Sequence, residues 1–180
     1  KDRLQGARTA SGRTLPADLL AVSGGWTPLI HLYCHARGRP RWDAERGVLL
    51  PGAPMPGLCV VGAADGARSL AAALAQGALA GGGPAADVPA CTVPDFDWGG
   101  APDTKMATGA RRVWVDLQHD VTAKDIALAV RENFRAVEHL KRYTTLGMAN
   151  DQGRTSNVNG LALLAERTGR TIAEAGVTTF

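Results

Sequence analysis

Apolar positions in this 180-residue chain change rhythm near its middle. In the first half they come in short blocks bounded by glycine and proline, which is how buried strands read. Leu15–Ser23 closes on Gly24-Gly25 and predicts one strand with a tight turn. Val48-Leu49-Leu50 predicts a second, with Asp43–Gly47 as its turn and Pro51–Pro56 as a proline-rich crossing loop. Gly57–Gly62, G-L-C-V-V-G, is the clearest strand pattern, β-branched at Val60 and Val61. It passes through Ala63, Ala64, Asp65 and Gly66 into an alanine-rich packed helix from Ser69 to about Ala80.

Glycines and prolines then dominate through Ala110, predicting an irregular connection that Phe96 and Trp98 anchor by burying their rings. The second half reads differently. Arg111–Leu117 alternates as a short strand, and Thr122 with Asp125 forms an imperfect capping box for a helix from Ala123. That helix buries Ile126, Ala129, Val130 and Phe134. A helix from about Ala136 to Tyr143 buries Val137 and Leu140. A third, Asn157–Thr168, turns Leu161, Leu164 and Ala165 inward and stops at Gly169, after which Thr171 and Glu174 cap one more turn. The fold class is α/β, with a strand-and-helix unit followed by a small, mainly helical module.

Composition narrows the function classes. The net charge of +3 is small and its basic residues are scattered, so a nucleic-acid surface has little support. No apolar run reaches the roughly 18 residues of a membrane span. Lys1–Gly12 is polar, without a signal-peptide pattern, and the chain reads as a piece of something longer. Cys34, Cys59 and Cys91 are too far apart for a metal signature or a disulfide framework, which points to a reducing, cytoplasmic setting. His31 and His35 stand one helical turn apart without an evident third ligand, so no metal residue is assigned. Asp95 and Asp97 have no neighbour to tune them for acid–base work.

Two stretches carry chemistry. Gly62–Gly66 joins the apolar strand to a helix N-terminus, where backbone N–H groups can approach a phosphate or ribose. It lacks a full G-x-G-x-x-G, so an ordinary strand-to-helix turn is as good a reading. Val137–Asn159, V-E-H-L-K-R-Y-T-T-L-G-M-A-N-D-Q-G-R-T-S-N-V-N, gathers cations, hydroxyls and glycines. Guanidinium forks, hydroxyls and exposed N–H groups can surround a phosphate; a polar helix end and loop is the plainer reading.

Ser23-Gly24-Gly25-Trp26-Thr27-Pro28 and Val60-Val61-Gly62-Ala63-Ala64-Asp65 resemble the C-terminal part of the two-dinucleotide-binding flavoprotein fold, whose glycine-fingerprint unit would lie upstream. More specifically, V-W-V-D-L-Q-H-D-V-T-A-K-D-I, H-L-K-R-Y-T-T-L-G-M-A-N-D-Q-G-R-T-S-N and the closing T-T-F resemble the α subunits of heterotetrameric sarcosine oxidases. The likeness is strong over Gly109–Phe180 and looser over Leu15–Gly82. The same module is similar to the 2Fe–2S bacterioferritin-associated-ferredoxin-like domains of amine and opine dehydrogenases. Where those carry cysteines this chain has Asp116, Gln118, Asp151 and Ser156, none a thiolate. The resemblance therefore implies the scaffold without an iron–sulfur cluster.

It also implies an organisation. Residues 1–82 would complete an NAD-binding domain, 83–110 would link, 111–170 would be the cluster-less module facing a β subunit, and 171–180 would lead into a folate-binding domain. By resemblance, the NAD contacts are Gly62, Ala63, Ala64, Asp65, Gly66 and Leu70, with Gly25 an outside candidate. Arg142, Thr144, Thr145 and Arg154 would contact the phosphate of an FMN shared with β. FAD and tetrahydrofolate would bind elsewhere in a complex with β, γ and δ subunits. That complex would oxidise sarcosine to glycine with hydrogen peroxide and 5,10-methylenetetrahydrofolate as further products. No catalytic residue is expected here. The alternatives are the α subunit of another multi-subunit amine or opine dehydrogenase, and a non-catalytic docking scaffold.

Overall fold

A computed structural model describes residues 3–9, 11–21, 25–84, 94–95, 97–105 and 112–176. Val22, Ser23, Gly24, Cys91, Phe96, Arg111 and the closing T-T-F, all used in the sequence reading, lie outside the described residues.

The described strands pair locally, in three antiparallel two-stranded sheets. β1 (Gly6–Arg8) pairs with β2 (Thr14–Pro16), β3 (Pro40–Asp43) with β4 (Val48–Pro51), and β5 (Trp114–Asp116) with β6 (Val121–Thr122). The expected Val48–Leu50 strand is present, and its turn is fastened by Asp43. That carboxylate accepts the Arg46 backbone N–H at 2.9 Å and its guanidinium at 2.8 Å.

Two expected strands are not formed. Only the beginning of Leu15–Ser23 pairs, as β2, while Leu19 and Leu20 are exposed. No strand forms over Gly57–Gly62. Val61 is extended (φ −140°, ψ 168°) and Val60 packs against the Ile30–Tyr33–Cys34–Leu49 cluster. Among the described residues, no strand runs beside it to take its ladder hydrogen bonds, and extended backbone without a neighbour is not sheet.

Gly62–Asp65 forms a 3-10 turn closed by Gly66 at φ 84°, a conformation open chiefly to glycine. Ser69 caps α2 (Leu70–Ala80) by accepting the Ala72 N–H at 3.0 Å. Gln76 of α2 reaches back and accepts the Gly62 N–H at 2.7 Å, tying turn to helix. The packed character expected of α2 is not seen: none of its residues is buried, and Leu70, Leu74 and Leu79 are exposed.

The second half follows its periodicity closely. α1 (His31–His35) precedes it in the first half; then come α3 (Ala123–Arg131), α4 (Val137–Thr144), α5 (Asn157–Thr168) and α6 (Ile172–Ala175). Ile126, Ala129, Leu140, Leu146 and Leu164 share one core at 0–1% exposure. Asp125 accepts both the N–H and the hydroxyl of Thr122, and Glu174 does the same for Thr171, so each acid fixes its helix start. Gly169, at φ 66°, ends α5. Phe134 is partly buried and stacks on Tyr143 with centroids 4.5 Å apart.

The halves touch through α5. Val158 packs against the Ile30–Tyr33–Cys34–Leu49 cluster of the first half. Within the expected linker, Trp98 is buried against Val48 and Leu50. The backbone around it lies so close to Gly25 and Gly47 that a Cβ on either glycine would collide with it. Among the described residues, no helix is long and apolar enough to cross a membrane.

Gly160 faces Leu146 with no room for a Cβ, although alanine is the better helix former. Gly160→Ala should therefore destabilise rather than stabilise, by about 1–3 kcal/mol from overpacking. Thermal unfolding of the full-length protein checks this; a rise in Tm would mean that Leu146 simply gives way.

Candidate functional site

The chemistry of the second half gathers round one carboxylate. Asp116, 2% exposed, ends β5. Its Oδ1 accepts the N–H groups of Gln118 at 2.9 Å and His119 at 3.1 Å. Its Oδ2 accepts the Gly147 N–H at 2.9 Å and the Ser156 hydroxyl at 3.3 Å. Burial pushes the carboxyl's pKa up, but the donors from Gly147, His119, Gln118 and Ser156 outweigh it, and the net shift is downward.

Four positions were singled out as replacing cysteines, and the fold brings Asp116 and Ser156 of these into direct contact. Gln118 contributes its backbone to the same carboxylate. Asp151 instead organises the loop before α5, accepting the Gly153 N–H and the Thr155 hydroxyl. Among the described residues, no group of three or more His, Cys, Asp or Glu side chains is placed to hold a metal.

Asn157 completes this arrangement. Its carboxamide lies between Gly147 (φ 68°) and Gly153 (φ 76°), and a Cβ on either would strike it. Positive φ and close approach both call for glycine here. The loop is thereby held flat over the start of α5.

At the end of α4 the chain is strained. Thr145, a β-branched residue, takes the left-handed conformation at φ 62°, which costs about 1–2 kcal/mol. Its carbonyl is held by His119 Nδ1 at 2.9 Å; since a carbonyl can only accept, that nitrogen carries the proton. The Thr145 hydroxyl donates to the Thr144 carbonyl, and the Thr144 hydroxyl to Leu140. Arg142 is exposed in the last turn of α4. Thr144, Tyr143 and His119 line a cavity of about 260 Å³.

Arg154 lies elsewhere. Its Nε–H donates to His31 Nε2 at 3.2 Å across the junction of the halves, which fixes the plane of the guanidinium. Only a neutral imidazole can accept there; burial, then Arg154 and His35, lower the His31 pKa and favour that state. Arg154, Thr155 and Asn159 line a cleft of about 430 Å³ together with Trp26 and Trp98. Trp26 and Trp98 also border an adjoining apolar lobe of about 320 Å³, which Ala63 and Ala64 of the 3-10 turn complete.

Of the expected phosphate residues, then, Thr144 and Arg154 line different cavities. Of the expected NAD residues, Ala63 and Ala64 open onto the tryptophan groove, as does Gly25, while Leu70 is exposed on α2. The sequence reading missed Trp26 and Trp98 as groove walls and Asp116 as a hub. A signal for the hub was present in the two glycines of the G-M-A-N-D-Q-G loop.

Residues 110–180 match the family model described as the sarcosine oxidase A3 domain. The chain is 42% identical, over 97% of its length, to the sarcosine oxidase subunit alpha of Rhizobium meliloti (strain 1021). It is 36% and 35% identical, over 91% of its length, to the same-named subunits of Corynebacterium sp. strains P-1 and U-96. It spans 18% of the length of each of these relatives. In fold it is similar to the crystal structure of L-proline dehydrogenase from P. horikoshii, with a TM-score of 0.66, 19% identity, and coverage of 99% of this chain and 40% of that one.

Asp116→Asn should cost about 2–3 kcal/mol, because an amide group cannot serve all the donors that the carboxylate satisfies. The carboxylate's contribution is complete above its ordinary pKa of 3.8 and is lost as the pH falls below it through the lowered folded value. Thermal melts from pH 7 to pH 2 should show an acid-dependent loss at Asp116 that the Asn variant lacks. Parallel curves for the two proteins would contradict it.

Proposed function

The chain belongs, over the 97% of it that aligns, to the family of sarcosine oxidase α subunits, and from that premise we propose that it is a cofactor-holding segment of such a subunit. In this reading it contacts NAD from the Gly62–Gly66 turn and Leu70, and an FMN shared with a β subunit through Arg142, Thr144 and Thr145 at the end of α4; Arg154, expected from the sequence at the same phosphate, lines a separate cleft and is not assigned to it. The whole complex carries β, γ and δ subunits, with FAD and tetrahydrofolate bound elsewhere. It oxidises sarcosine to glycine with formation of hydrogen peroxide and 5,10-methylenetetrahydrofolate. The flavins supply the redox chemistry when bound; this chain's residues bind and orient.

The observation that carries the FMN half is the strain at Thr145. A β-branched residue in the left-handed region is uncommon; such strain persists where surrounding contacts impose it, often at functional sites. Here His119 holds the Thr145 carbonyl, at the end of the helix that carries Arg142 and Thr144. A guanidinium suits a phosphate dianion, and the Thr144 and Thr145 hydroxyls would turn from the Leu140 and Thr144 carbonyls to donate to it. For NAD, the support is the 3-10 turn itself: Gln76 and Gly66 fix its shape, and Ala63 and Ala64 carry no side chain large enough to block a ligand from the adjoining lobe.

Exposed Leu70 and Leu74, one turn apart on α2, favour a second role as a docking face within the same assembly. This does not compete with cofactor binding, since α2 also braces the turn.

Arg142→Ala removes a charged donor worth about 1.5–3 kcal/mol, so FMN should be held roughly tenfold or more weakly. Acid extraction of the purified full-length complex should show less FMN with FAD undiminished. FMN content equal to that of the unaltered complex would remove Arg142 from the site.

A further inference from the structure

We infer that the groove walled by Trp26 and Trp98 binds the ring of a nucleotide whose anionic group is met by Arg154. The inference rests on the reading of this chain as nucleotide-binding and goes beyond it by assigning the wall and the far end of the site.

Three observations converge on this groove. Its floor is built rather than incidental: Gly25, at φ 107°, lets its backbone lie against the Trp98 carbonyl, and the Trp26 N–H donates to that carbonyl at 3.3 Å. That pairing fixes the two tryptophans as neighbours. Trp98 is 5% exposed and rigid in its core, whereas Trp26 is 68% exposed. A solvent-accessible aromatic on a fixed backbone suits a stacked planar ring.

The polar end is held just as firmly. Arg154 is oriented by His31, Thr155 by the Asp151 carboxylate, and Asn159 by the Thr155 carbonyl, which its amide reaches at 3.2 Å. All three line the same cleft as the tryptophans. The guanidinium and the carboxamide favour an anionic, oxygen-rich group, while the Thr155 hydroxyl proton is committed to Asp151.

The third observation is continuity. The cleft with Arg154 and the apolar lobe with Ala63 and Ala64 share Trp26 and Trp98, so apolar, aromatic and cationic surfaces are contiguous. That combination suits a molecule that carries both a flat heteroaromatic ring and a phosphate. FMN and NAD both have this chemistry, and the experiment separates them.

The test uses the full-length protein carrying Trp26→Leu, Arg154→Gln or Asn159→Asp. The first and third positions are exposed, as is Arg154, so the Tm should stay near that of the unaltered protein. NAD and FMN are then quantified by acid extraction, and each is titrated back while tryptophan fluorescence is followed. One nucleotide should be retained at least about tenfold more weakly in all three variants while the other is unaffected: NAD if the dinucleotide occupies the groove, FMN if the flavin does. Retention of both at unaltered levels, or loss of both together, would overturn the inference. Arg142 lines neither lobe, so its variant reports on the α4 phosphate contact alone, and the two readings can fail separately.

Discussion

The Asp116 carboxylate is the constraint on which the second half depends. Its four partners come from the β5–β6 turn, the loop after α4 and the residue that begins α5. A buried charge is costly unless its lone pairs are used, and here both oxygens are used twice. The donors are in turn immobilised. Gly147 is held over Asn157, Ser156 is placed at the head of α5, and His119 is positioned to grip Thr145. Removing the carboxylate would leave three backbone N–H groups and a hydroxyl without their acceptor in a site almost closed to water.

Because α5 starts where Asp116 holds it, the face that α5 presents to the first half is also set. Val158 packs against the Ile30–Leu49 cluster, Arg154 reaches His31, and Asn159 and Thr155 line the groove that Trp26 and Trp98 also line. The crossing segment around Trp98 is fixed from the other side by the two glycines that admit its backbone. The groove is thus a product of the packing between halves. Within the sarcosine oxidase α-subunit family, this links the module matching the A3 domain to the turn that contributes Ala63 and Ala64.

What could be read from sequence was what local physics decides. α5 begins at Asn157 and ends at Gly169 because periodicity and a left-handed cap say so, and the acids Asp125 and Glu174 mark helix starts three residues ahead. Strands depend on partners, and Gly57–Gly62 had the right residues but no neighbour among the described ones. The role of Asp116 depends on residues 31 and 40 positions away, and the Arg154–His31 contact spans 123. No window on the sequence holds both ends of such an interaction. Trp26 looked like part of a turn because its neighbour Trp98 lies across the glycine-rich connection.

In the proposed reading, this chain keeps nucleotides with a scaffold organised by a carboxylate instead of a metal cluster. An inventory of the intact natural complex tests it most directly, with acid-extracted flavins and nucleotides quantified beside iron. The account predicts FAD, FMN and NAD near one equivalent each and no stoichiometric iron. Stoichiometric iron ligated by this segment, or a complex without NAD and FMN, would contradict it.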